Sequence, residues 1–229
     1  MKRSGLAACL AAILLLASAP AWSQAPELKT IKLNDPSKTR GLPVMQALAL
    51  RASVREWSDR DLSLQDLSDL LWAANGVNRP DGRRTAPSAM NAQDIDIYVL
   101  MKDGAYKYDA AGQSLAPVAA GDFRMAVTPA GPPGAKPAAK PAAKPQAPAP
   151  VLLVLVSDIS KFTRGETEGK LAVAALDAGI VSENIGVFCA GTGLATRPRA
   201  TMDKAKLKEV LKLTETQYPL LNHPVGYPK

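Results

Sequence analysis

The sequence has 229 residues, 47% of them hydrophobic, and a formal net charge of +7. A single histidine (His223) and two cysteines leave little material for a structural zinc site and none for a disulfide framework. A Ser-His-Asp triad would have to be built on His223, whose apolar, proline-flanked run reads as an edge strand and offers no catalytic surroundings.

Lys2 and Arg3 form a short positive region, Leu6 to Ala17 is an unbroken small and apolar run, and Ala21-Trp22-Ser23 supplies small residues at a cleavage site. This predicts a secretory signal peptide over residues 1–23, too short and wrongly flanked for a transmembrane helix. A lipoprotein signal at Cys9 is excluded because the apolar stretch follows the cysteine. Cleavage after Ser23 removes two cations and no acid, taking the net charge from +7 to about +5. It also leaves Cys189 alone, so an exported fold must stand on its core. No later segment reads as a run of roughly 18 apolar residues, the length of a membrane span. The expected location is periplasmic or secreted, with the mature chain of about 205 residues long enough for one domain.

Residues 24–42 are polar and aperiodic and read as an extended arm. Pro43–Leu50 suggests a helix with proline in its first turn. Leu62 to Trp72 repeats apolar residues at helical spacing, with Ser63 as N-cap and Asp66 three positions on. Ile95, Ile97 and Val99 alternate with polar partners, a half-buried strand forming a hairpin with Tyr106–Asp109 through Asp103-Gly104. From about 129 to 150 runs a Pro/Ala/Lys-rich block, a solvated, semi-rigid insertion. Lys136, Lys140 and Lys144 supply much of the positive charge, so the basic balance is no nucleic-acid footprint. Val151–Val156 reads as a buried strand, Leu171–Leu194 as a long buried helix, Asp203–Leu211 as a helix and Tyr218–Gly226 as a last strand. Helices and strands alternate across the insertion, giving one α+β core from residue 43 to 229.

Three stretches carry chemistry. In Arg51-Ala52-Ser53-Val54-Arg55, two guanidinium groups and a hydroxyl at alternating positions suit a phosphate, although a solvated charge run has the same look. Thr85 to Gln93, through Pro87-Ser88-Ala89-Met90-Asn91, makes a tight turn whose N–H groups, hydroxyl and amide could meet a planar heteroaromatic edge; a plain helix start reads equally well. Gly191-Thr192-Gly193-Leu194-Ala195-Thr196-Arg197-Pro198 allows close backbone approach, or merely stops a helix.

Together, in this order, these stretches resemble the nitroreductase superfamily, most of all its SagB/ThcOx-type dehydrogenases, given Leu71-Trp72-Ala73-Ala74-Asn75-Gly76 and Pro224-Val225-Gly226-Tyr227-Pro228-Lys229. The resemblance spans roughly 43–125 and 150–229. It implies an α+β fold with a central, mostly antiparallel sheet wrapped by helices, a homodimer, and FMN sites shared between subunits. Arg51 and Ser53 then hold the FMN phosphate, with Lys229 as the basic residue after Gly-Tyr-Pro, and Arg55 reaches the ribityl chain or the pyrimidine edge. Pro87, Ser88, Ala89 and Asn91 line the ring from the other subunit, and backbone around Arg199-Ala200 lies near flavin N5. Two departures stand out: the usual N-x-Q-P-W is Asn91-Ala92-Gln93-Asp94-Ile95, and the insertion replaces a short connection after Gly121-Asp122-Phe123-Arg124.

The expected function is an exported FMN-dependent oxidoreductase moving hydride from a donor to an organic or peptide acceptor by a ping-pong route, with no metal, no catalytic side chain and an electron donor that could be NAD(P)H. The alternatives are a non-catalytic flavin or electron-carrier module, and a structural envelope protein that binds through its basic insertion.

Overall fold

The computed structural model describes residues 27–127 and 148–229. The predicted signal peptide, and the insertion up to residue 147, lie outside the described residues.

Seven strands make one antiparallel sheet in the order β1-β4-β3-β2-β5-β7-β6. They are β1 (Ile31–Lys32), β2 (Ile95–Leu100), β3 (Gly104–Asp109), β4 (Ser114–Ala120), β5 (Val151–Asp158), β6 (Ala195–Thr196) and β7 (Gln217–Gly226). The helices are α1 (Val44–Leu50), α2 (Leu64–Asn75), α3 (Thr167–Thr192) and α4 (Lys204–Val210). β5 joins the two halves of the chain on either side of the insertion, pairing with β2 from the first half and β7 from the second.

One face of the sheet buries Ile95, Ile97, Val99, Leu153 and Leu155 under Leu70 and Leu71 of α2 and Val181 and Ile185 of α3. The other face buries Tyr98, Leu100, Leu152 and Val154 under Leu207 and Val210 of α4. This is why β2 is buried at all six residues, where its alternating pattern predicts half-burial. Asp96 is tolerated there because Lys107 Nζ, 2.8 Å away, neutralises it. β7 is a second correction: it lies between β5 and β6 and is not an edge strand, so His223 is fully buried. β4 and β6, which the sequence pattern does not announce, extend the sheet on either side, with β1 of the arm at one edge and β6 at the other.

α3 is buried along one face only. Leu176 and Ile180 are 69% and 37% exposed, and a Cβ added at Gly179 would meet nothing within 4 Å. By length and composition α3 is also apolar enough to cross a membrane, contrary to the expectation for segments after residue 23, although a soluble core helix passes the same test. α1 packs on α3 at Gly191, where an added Cβ would come within 3.2 Å of the Ala47 Cβ. Its other side leaves Val44, Met45 and Leu48 exposed. The exposed apolar faces of α1 and α3 therefore belong to neighbouring helices.

The arm is held by the acids of α2. Ser63 caps the helix as expected, accepting the Asp66 N–H at 3.0 Å. The Ser37 N–H donates to Asp69 at 2.8 Å, and Arg40 pairs with Asp69 at 2.9 Å and with Asp66. Burial alone would raise Asp66, but hydrogen bonds from Ser63, Tyr227 and Arg40 hold it below the usual carboxylate range. The Tyr227 hydroxyl thereby ties the C-terminal motif to α2.

Tyr227→Phe removes a hydrogen bond to a charged group and is expected to destabilise the protein by about 1.5–3 kcal/mol, several degrees of Tm at about 2–4 °C per kcal/mol. Because the folded-state pKa of Asp66 is depressed, its contribution is present above the ordinary carboxylate value and is lost as pH falls through the folded value. The deficit in thermal melts should therefore shrink at acid pH; a deficit independent of pH would dissociate Tyr227 from Asp66.

Candidate functional site

The segment from Arg51 to Ser58 extends the edge of the sheet. The Val54 N–H donates to the Thr196 carbonyl at 2.9 Å, and the Ser58 N–H to the Tyr227 carbonyl at 2.8 Å. Trp57 is buried against Gly226, whose added Cβ would approach the Trp57 Cβ to 3.0 Å and Pro150 Cδ to 2.9 Å. This tethering leaves Arg51, Ser53 and Arg55 exposed on the strip. Arg51 ends α1 and lies over α3, its Cδ 3.8 Å from where a Gly186 Cβ would stand.

Directly after Thr196 come two further arginines, and Arg197 is a residue to which the sequence alone assigns no role. Its Nε is buried without a hydrogen-bond partner among the described residues. Arg199 donates through Nε to Asn222 Oδ1 at 2.8 Å, and its pKa is lowered by burial and by Arg197. Among the described residues, Arg51, Arg197 and Arg199 make no ion pair with a carboxylate. The sequence signal for Arg197 is alternation, Arg-Pro-Arg, but the β6 pairing that sets it beside Val54 is a tertiary contact. Ala200 is exposed beyond Arg199. Lys229 is exposed two residues past Tyr227, so it emerges at the Ser58 end of the strip, away from Arg51.

Pro87–Asn91 forms a separate surface. A short 3-10 turn at Ala89–Asn91 holds Met90 and Asn91 at φ 54° and 51°, followed by Gln93 at 47°, all left-handed and all non-glycine. The Ser88 hydroxyl accepts the Gln93 N–H at 2.8 Å, and the Ala89 N–H donates to Asp177 of α3 at 3.0 Å. Pro87 and Asn91 are exposed. Within one chain this turn and the Arg51 strip dock on α3 at Asp177 and Gly186, nine residues or about 13 Å apart along the helix. The predicted residues thus fall into two groups, anchored at separate points along α3.

His223 is inert. Its ring nitrogens lie 2.8 Å from Ser182 Oγ and 3.3 Å from Thr196 Oγ1, with no carboxylate partner among the described residues, and burial and then Arg199 push it down to about 3. Cys189 is buried, and burial pushes its thiol up. No group of metal-binding side chains occurs among the described residues. A cavity of about 530 Å³, lined by Leu62, Leu67, Met101, Pro150 and Val151 together with the charged Asp61, Lys102 and Asp103, opens where Pro150 leaves the insertion.

The family model described as the nitroreductase family matches residues 48–227. The chain belongs to the nitroreductase family. A Methanocaldococcus jannaschii protein named as a nitroreductase is 30% identical over 221 residues, covering 89% of this chain and 94% of its own. A Ralstonia eutropha crystal structure, also described as a nitroreductase, is 33% identical with a TM-score of 0.77, covering 87% of this chain and 90% of that one. A chain of the Escherichia coli microcin synthetase complex, solved with a truncated pro-microcin, shares the fold at 16% identity and TM-score 0.65, covering 94% and 84%. Family membership makes this nitroreductase-family chain an oxidoreductase of a flavin-using family and accounts for its α+β antiparallel fold.

Since the folded-state pKa of His223 is depressed, the imidazole is expected to stay neutral across pH 5–8. Its ring proton shifts in NMR should be flat over that range; a titration near the ordinary histidine value would show that water reaches the Ser182–His223–Thr196 contact.

Proposed function

We propose that the chain is an exported FMN-dependent oxidoreductase acting as a homodimer, with each flavin held between two copies. The observation that carries this reading is the cationic strip of Arg51, Ser53, Arg55, Arg197 and Arg199, in which an orphaned Arg197 Nε and the guanidiniums of Arg51 and Arg199, without carboxylate partners, fit an anion. Bound FMN supplies hydride transfer at its ring between a donor and an organic acceptor, in alternation. Arg51 and Ser53 bind its phosphate and Arg55 reaches the ribityl chain or pyrimidine edge, while Lys229, at the far end of the strip, adds only to the general positive charge of that edge. Pro87, Ser88, Ala89 and Asn91 of the second copy orient the ring, and backbone at Ala200 closes the site near it. The neutral, buried His223 takes no part in proton transfer.

The exposed faces of α1 and α3 support the dimer. Ala172, Ala175, Leu176, Gly179 and Ile180 form one uncovered stripe on α3. Two copies of α3 crossing antiparallel near Gly179 would carry the Ala89 turn of one toward Arg51 of the other. Within the family the reading favours the SagB/ThcOx type, on Leu71–Gly76 and Pro224–Lys229. The cavity at Pro150, apolar on one side and charged at Asp61, Lys102 and Asp103, suits an organic substrate with a polar group. Export, carried by residues 1–23, favours a quinol or redox protein as donor over NAD(P)H.

Purified protein should be yellow, and Arg51→Ala should weaken FMN binding about 10- to 150-fold, the worth of one charge-assisted contact. Unchanged flavin affinity in that variant removes the phosphate assignment. Gly179→Arg fits the single chain, since its Cβ meets nothing within 4 Å. It is expected to give a folded monomer that has lost flavin. Light scattering that finds it dimeric and flavin-loaded would exclude α3 from the interface.

A further inference from the structure

Beneath the turn that carries Pro87–Asn91 lie two acids with no cation between them. Asp94, just before β2, is fully buried, and Asp177 on α3 is 4% exposed. Asp94 Oδ2 accepts from the Ser157 hydroxyl at 2.5 Å, while Asp94 Oδ1 has no partner among the described residues. Asp177 lies close enough to raise Asp94 through its charge and as a potential hydrogen-bond partner, which favours a proton on Asp94. Both oxygens of Asp177 are also turned to the Ala89 N–H, at 3.0 and 3.2 Å. A proton on Asp94 Oδ1, donated to Asp177, satisfies every one of these contacts.

The turn above them needs such support. Three non-glycine residues sit at positive φ within four positions, a sparsely populated backbone that persists only where its surroundings over-determine it. Its described anchors include the Ser88–Gln93 contact and the Ala89 N–H bond to Asp177.

We propose that Asp94 and Asp177 hold one proton between them, and that this pair, through the Ala89 N–H, sets the turn that presents Ser88, Ala89 and Asn91 to the flavin, making flavin affinity depend on pH. The inference rests on the ring-side reading of that turn. Asp94 and Asp177 are positioning residues and touch neither flavin nor substrate. The charged groups on neighbouring elements are engaged elsewhere. Arg84 donates to Gln93 Oε1 and the Ile95 carbonyl, Lys161 to the Gln93 carbonyl and Asp96, Lys107 to Asp96, and Asp158 accepts from Ser160. From α2, Asn75 sends a neutral amide to the Ile95 carbonyl. Burial first, and Asp177 with it, pushes Asp94 up to about 6. A carboxyl raised in this way stabilises the fold fully below its ordinary value, and that contribution is lost as pH rises through about 6. Above that point Asp94 carries a charge of its own, and its repulsion of the Asp177 carboxyl weakens the contact that holds Ala89.

The test compares the wild-type mature protein with Asp94→Asn, whose amide donates to Asp177 at every pH, and with Asp177→Asn, which still accepts from Ala89. FMN affinity by fluorescence titration and Tm are measured from pH 5 to 8. Wild-type affinity is expected to weaken with rising pH by about tenfold more than in either variant, the equivalent of one pKa unit. Titration of the FMN phosphate is common to all three and cancels. Wild-type Tm should fall over the same range, Asp94→Asn should stay level, and Asp177→Asn should fall less than wild type because burial alone still raises Asp94. A wild-type Tm profile parallel to both variants overturns the shared proton. Divergent Tm with parallel affinity profiles overturns the link to flavin. Asn91→Ala distinguishes failure of the ring-side reading: if it binds FMN as wild type does, the turn is not at the ring, while the Tm comparison still decides the pair.

Discussion

Helix α3 crosses the sheet with Ala178, Val181, Ile185 and Cys189 packed into the larger core, and each functional segment is anchored to it. Asp177 takes the Ala89 turn, Ser182 takes His223, Gly186 passes beneath Arg51, and Gly191 receives α1. Each fully buried aliphatic side chain on that face contributes about 1.5–3 kcal/mol. The helix cannot shift or rotate without exposing that face, so the spacing between the turn and the arginine strip is as rigid as the core. The opposite face, with Leu176, Gly179 and Ile180, is left uncovered by the same packing.

Charge is distributed unevenly around this helix, and the asymmetry has a physical logic. At the sheet edge, Arg51, Arg197 and Arg199 stand without carboxylate partners and one nitrogen of Arg197 is unsatisfied, a state that is unfavourable unless an anion is bound. Under the Ala89 turn the reverse holds: two acids are buried, one oxygen of Asp94 has no partner among the described residues, and burial favours the protonated form of that carboxyl. Elsewhere opposite charges are matched directly, as in Arg40 with Asp66 and Asp69 or Lys107 with Asp96. The unmatched groups concentrate where the chain departs from ordinary structural chemistry, and perturbed ionisation in such places is a pointer to function.

Much of the fold was legible because local rules and tertiary demands agree. Ser63 is a good cap and caps; Asp203 does the same for α4, accepting the Lys206 N–H at 2.9 Å. The apolar run from Val151 is a central strand because only a strand buried on both faces can use six consecutive apolar residues. The misreadings have one origin. β2 alternates, yet is buried throughout because α4 covers its second face, and the proline-flanked β7 is interior because the chain returns to pair beside it. Both depend on what lies across the sheet, which no window of residues contains. Part of the site was legible too: Arg51, Ser53 and Arg55 do emerge together on one exposed strip.

By itself, then, the sequence determined the order and kind of most elements, the family resemblance and the cationic character of the 51–55 segment, because propensity, capping and charge are local properties. Only the tertiary structure decided that Arg197 stands beside that segment, that the Pro87–Asn91 turn is anchored apart from it along α3, and that Asp94 and Asp177 are both buried. The last pair is 83 residues apart in the chain, and nothing in either neighbourhood announces the other. Buried charge is a property of shared space: two carboxyls acquire a common proton only when packing removes the water between them.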